Sequence, residues 1–130
     1  MTTSLRFAVI VAVFAMSGVV TPGQTPATGR VMRDKLTHAQ KILEAVMTSD
    51  YVALETHSTA LARATELPGW FELKSPEYRR QSEAFVHATQ ALADAAKRRD
   101  LDAAALQYVS VTLTCFECHR YLKNMRIARR

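Results

Sequence analysis

From Leu101 to Leu122 the chain places Leu101, Ala104 or Ala105, Tyr108, Val111, Cys115, Cys118 or His119, and Leu122 at steps of three and four. That spacing, close to a heptad repeat, is the period of an α-helix with one inward stripe. A stripe so long must be covered by other elements, and the rest of the chain offers only helices. Residues 30–48 carry a second stripe in Met32, Leu36, Ala39, Leu43 and Val46 or Met47. Ser49 and Asp50 then supply side-chain oxygens suited to capping a new helix. That helix continues to about Leu67, with Tyr51, Leu54, Ser58, Leu61 and Thr65 on its inner face.

Leu67-Pro68-Gly69-Trp70 breaks the pattern, and Trp70 to Lys74 reads as a connector. Ser75-Pro76-Glu77 is a start signal: a hydroxyl cap, proline at the first helical position, then an acid near the positive helix end. The third helix runs to about Arg99 and buries Tyr78, Ser82, Phe85, Thr89, Leu92 and Ala96. Asp100 caps the fourth, which reaches about Arg126. No stretch alternates as a half-buried strand does. The expected fold is all-α, an antiparallel up-down-up-down four-helix bundle over residues 28–130.

The first 27 residues stand apart as a signal peptide and short linker. Met1 to Arg6 is basic, Phe7 to Val20 is apolar or small throughout, and Thr21 to Gly29 is polar and rich in Pro and Gly. This is the layout of a secretory leader, with cleavage after Ser17 or later, up to Ala27. The apolar run falls short of the roughly 20 residues that span a bilayer, so no stable membrane anchor is expected. Seventeen basic residues face 12 acidic ones, for a net charge of +5. A basic surface can meet nucleic acid, an anionic membrane or an acidic protein, and export to the periplasm argues against nucleic acid.

The chain has two cysteines, Cys115 and Cys118. A disulfide across so short a loop would constrain the unfolded chain little. A thioredoxin-like redox pair sits at a helix N-terminus near strands, whereas this pair lies deep within a helix. Zinc would need a further ligand beyond His119, and His38, His57 and His87 are not spaced to provide it. An inert buried pair is the fourth possibility. Cys115-Phe116-Glu117-Cys118-His119 is also C-x-x-C-H, the attachment pattern of c-type haem. Two thiols three apart on a helix lie on one face, where they can form thioethers to one porphyrin edge. His119 then brings its imidazole to the iron from the same side. Haem fits the motif, the export signal and the helical context together. Arg33 offers a guanidinium suited to a haem propionate.

C-x-x-C-H near the end of a four-helix chain resembles the class II c-type cytochromes, the cytochrome c prime family and its low-spin relatives. The resemblance covers residues 31–126 and includes Trp70 between helices two and three. It also includes a basic residue four after the haem histidine, here Lys123. The family commonly has Arg there, and Lys lacks its planar fork. The resemblance implies one covalently bound haem c, with His119 as axial ligand. It further implies that the first helix supplies the other side of the iron. In low-spin relatives a Met closes the sixth position, here Met32; in five-coordinate ones an apolar residue blocks it, here Leu36. With Met32 bound, the expectation is a non-enzymatic electron carrier that meets a redox partner protein. With Leu36 as distal wall, it is a binder of nitric oxide or carbon monoxide. Relatives of this kind also form homodimers through helices one and two.

Overall fold

The computed structural model describes residues 26–70 and 73–128. The signal peptide and most of the linker expected over residues 1–27 lie outside the described residues. Among the described residues there are four α-helices: α1 Pro26–Thr48, α2 Tyr51–Arg63, α3 Pro76–Lys97 and α4 Leu101–Ala128. A 3-10 turn, Ala64–Glu66, extends α2. No strand occurs among the described residues. Each consecutive pair of helices packs along its length, whereas α1 and α4 touch only sparsely.

The two short connections use one device. α1 and α3 end on residues in the left-handed region, Ser49 (φ 56°) and Arg99 (φ 55°). The amides of Asp50 and Asp100 then reach back to the carbonyls of Ala45 (2.9 Å) and Ala95 (3.0 Å). These bonds close Schellman-type turns that satisfy carbonyls left open at a helix end. Each aspartate next turns its carboxylate to the following helix. Asp50 Oδ1 accepts from Val52 N and Ala53 N, and Asp100 Oδ1 accepts from Ala103 N. One residue thus ends a helix and starts another.

The core runs through Ile42, Leu54, Leu61, Phe85, Leu92, Ala104 and Val111. The inner faces expected for α2 and α3 are observed, with Leu54, Ser58, Leu61, Thr65, Tyr78, Ser82, Phe85, Thr89, Leu92 and Ala96 all buried. The buried serine and threonine hydroxyls turn back on the local backbone: Ser58 Oγ donates to Leu54 O at 2.6 Å and Thr89 Oγ1 to Phe85 O at 2.9 Å. The stripe of α1 differs from expectation. Val31, Lys35, Ile42, Ala45 and Val46 face inward, while Leu36 (60% exposed), Leu43 (45%) and Met47 (72%) face out. Large apolar residues occupy both flanks of this helix, so two stripes were available, and the inner one contains a lysine.

The connector is anchored by Trp70, which is buried. Its Nε1 donates to Ser82 Oγ at 3.0 Å, and Tyr78 Oη donates to its carbonyl. Gly69 (φ +96°) makes the entry possible: a Cβ there would lie 2.8 Å from Thr28 N and 2.9 Å from Ala27 C. Thr28 Oγ1 donates to Gly69 O at 3.0 Å, tying the connector to the first turns of α1. Gly69→Ala is therefore expected to cost about 2–4 kcal/mol, from positive-φ strain plus backbone overlap. Pro68→Ala, on the exposed side of the same turn, serves as the control in denaturant unfolding. A Gly69→Ala chain as stable as that control would remove the connector's close approach from the argument.

Candidate functional site

α4 carries the motif on its inward side. Cys115 and Cys118 are both free thiols, half-buried and packed against the core. They follow Val111 and precede Leu122 on one face, as residues four, three and four apart on a helix do. Tyr121, next on the α3 side, meets Ser75 at the cap of α3, with 3.0 Å between the hydroxyls. His119 stands at the rim of this face and is exposed. Crowding around its ring still pushes the imidazole pKa down, chiefly by desolvation and secondarily by the charge of Lys35. Burial pushes the Cys118 thiol up, the Lys35 charge opposing it and Cys115 reinforcing it. Tyr108 is raised for the same first reason, with Cys115 adding to it.

Of the α1 residues singled out in the sequence, Met32 is half-buried and packs against the core. Arg33 is exposed, and so is Lys123 on α4. Leu36 lies outside the inner stripe. The side chain that α1 does send inward at this level is Lys35, which the sequence reading passed over. Its Nζ sits 4.2 Å from the Trp70 ring centroid and 4.1 Å from that of Phe85. Burial lowers its pKa, while Cys115 and Cys118 act in the other direction. The signal was present: Lys35 lies four after Val31 and seven before Ile42, positions that share a helical face.

These residues fit a covalently held haem. Two free thiols one turn apart face the core, an imidazole follows them, and the seam between α1 and α4 is the least engaged in the fold. Among the described residues no group of three or more His, Cys, Asp or Glu side chains is disposed to hold a metal ion. Among those same residues, no helix is long and apolar enough to cross a membrane.

His38 and His57 belong to the α1–α2 seam, with their Nδ1 atoms 3.0 Å apart and ring centroids 5.2 Å apart. One ring must donate and the other accept, so both cannot be protonated and keep the bond. Desolvation and then the His57 ring lower the pKa of His38, Asp34 opposing them. The chain has no match among family models, curated proteins or solved structures.

A depressed histidine binds its proton more readily in the unfolded chain than in the folded one. Stability is accordingly unaffected above the ordinary histidine range, near pH 6.5, and falls as pH drops from there through the lower folded value. His38→Gln is expected to flatten that part of the unfolding free energy against pH, leaving the similar contribution of His119. An unchanged slope would show that the pair does not couple protonation to folding.

Proposed function

We propose that this chain is an exported, periplasmic monohaem c-type cytochrome that carries electrons and catalyses no reaction of its own. The observation that carries this reading is the pair of free, half-buried thiols one turn apart on α4, packed against the core and followed by His119. Each thiol would add across one haem vinyl group: sulfur bonds to one carbon, the thiol proton goes to the other, and no net oxidation occurs. His119 and Met32 would hold the iron. Haem c, when bound, supplies a one-electron couple between ferric and ferrous iron.

The remaining residues keep that couple in place. On this reading the four helices run as an antiparallel up-down-up-down bundle, which would bring the start of α1 to the end of α4 at the seam. Thioether attachment prevents cofactor loss, and a Met/His ligand pair raises the reduction potential. Arg33 and Lys123 lie at the solvent edge, where they can meet propionates or an acidic redox partner protein. Exposed Leu43, Met47 and Val52, around the turn between α1 and α2, suit a homodimer through these helices. The exposure of Leu36 favours Met32 over an apolar distal wall, and with it electron transfer over gas binding.

Expressed with haem-attachment machinery, the protein is expected to keep its colour through acid-acetone extraction and to stain for haem on a denaturing gel. Cys115→Ala with Cys118→Ala abolishes both; full extraction of haem from the unaltered chain would sink the reading. Met32→Ala is expected to turn a low-spin ferrous spectrum high-spin, lower the potential and admit carbon monoxide. A silent Met32→Ala, in a protein that already binds carbon monoxide, would instead make it a gas binder.

A further inference from the structure

α1 places a single charged side chain in the core of the described structure. Lys35 is 9% exposed, and its ammonium rests against the rings of Trp70 and Phe85. Among the described residues no carboxylate lies within ion-pair reach of it. Its charge acts on Cys115, Cys118 and His119, the three residues of the attachment motif. A surface lysine would pair with water or an acid; this one is held by two aromatic faces, whose negative quadrupoles favour a cation. The fold thus holds the Lys35 amine beside the motif and away from solvent screening, the aromatic faces favouring its charged form and burial opposing it.

We infer that Lys35 is a positioning residue of the haem site, a buried cation that raises the reduction potential by disfavouring the more positive, ferric state. The inference rests on the haem reading above and adds a determinant outside the ligand set. Ferric haem carries one more positive charge than ferrous haem. A neighbouring cation therefore opposes oxidation, and does so more strongly where the effective dielectric is low. Burial and local charge are recognised means by which a protein tunes a haem. Trp70 and Phe85 fix the charge, so its influence is built into the core. Lys123, on the open surface, carries the same charge but is screened by salt.

The test uses the haem-loaded full chain, with Lys35→Gln and Lys35→Leu as two neutral variants and Lys35→Arg as the charge-conserving one. Potentials are read by spectroelectrochemical titration at low and high salt, with ferric electron paramagnetic resonance to follow the axial ligands. Both neutral variants are expected to shift the potential downward, at either salt concentration, with ligand signals unchanged. Lys35→Arg should stay near the unaltered protein, and the smaller effect of Lys123→Gln should fade as salt rises. Neutral variants with unaltered potentials overturn the inference, as does a fall in one neutral variant alone. A changed ligand signal in both would make the amine an iron ligand and overturn the tuning role. Absence of covalent haem from the unaltered protein is seen first, by the gel stain. That result ends the haem reading itself, whereas an unaltered potential in a fully loaded neutral variant ends only the role of Lys35.

Discussion

The Trp70 side chain is the point on which the rest of the arrangement depends. It anchors the connector to α3 through Ser82, receives the Tyr78 hydroxyl on its carbonyl, and tilts against Phe85 with centroids 5.3 Å apart. Lys35 of α1 lies over the same two rings. One indole therefore joins α1, the connector and α3. Burying so large a ring with its N–H satisfied is favourable, whereas the same ring without Ser82 would leave an unpaired donor in the core. The positive φ of Gly69 belongs to this constraint, because the backbone must pass within contact of Thr28 to bring Trp70 inward.

The seam between α1 and α4 follows from what Trp70 and its neighbours do not cover. α4 meets α3 along its length and reaches the Ser75 cap through Tyr121, so its orientation is set from one side. On the other side it barely engages α1. Helical proteins normally close such a seam with interdigitated side chains, since an unfilled one forfeits dispersion contacts on both walls. A flat, largely apolar cofactor anchored at the motif would supply those contacts.

Much of this was legible in the sequence, for reasons that differ from element to element. Ser75-Pro76-Glu77 and the two aspartates at Asp50 and Asp100 encode helix starts locally, and the structure uses all three. α3 was legible because its large side chains occupy one face, with polar residues opposite. α1 was not, because Leu36, Leu43 and Met47 mark one flank while Val31, Ile42, Ala45 and Val46 mark the other. The choice between them is made by tertiary contact, through the aromatic faces that accept a lysine. Composition does not announce such a site, since lysine ordinarily counts against burial. The motif itself was legible because its spacing is the chemistry. The residue opposite it depends on how two distant helices are set, which no local pattern records.

The buried lysine also bears on stability. Its lowered pKa means that burial penalises the ammonium more than its surroundings repay. On the proposed reading, a chain without haem carries that penalty and gains nothing from the charge. In the Cys115→Ala, Cys118→Ala background, Lys35→Leu is accordingly expected to raise the thermal unfolding midpoint, because an apolar side chain fills the space without the desolvation cost. The cost also depends on pH: the ammonium's penalty is in full force below the folded pKa and is relieved as pH rises through it toward the ordinary lysine value. The advantage of Lys35→Leu should therefore be largest below the folded pKa and shrink as pH rises toward the ordinary lysine value. If Lys35→Leu is less stable throughout, the contacts with Trp70 and Phe85 outweigh desolvation. The lysine would then be a structural element of the apo fold and not a charge retained at the expense of stability.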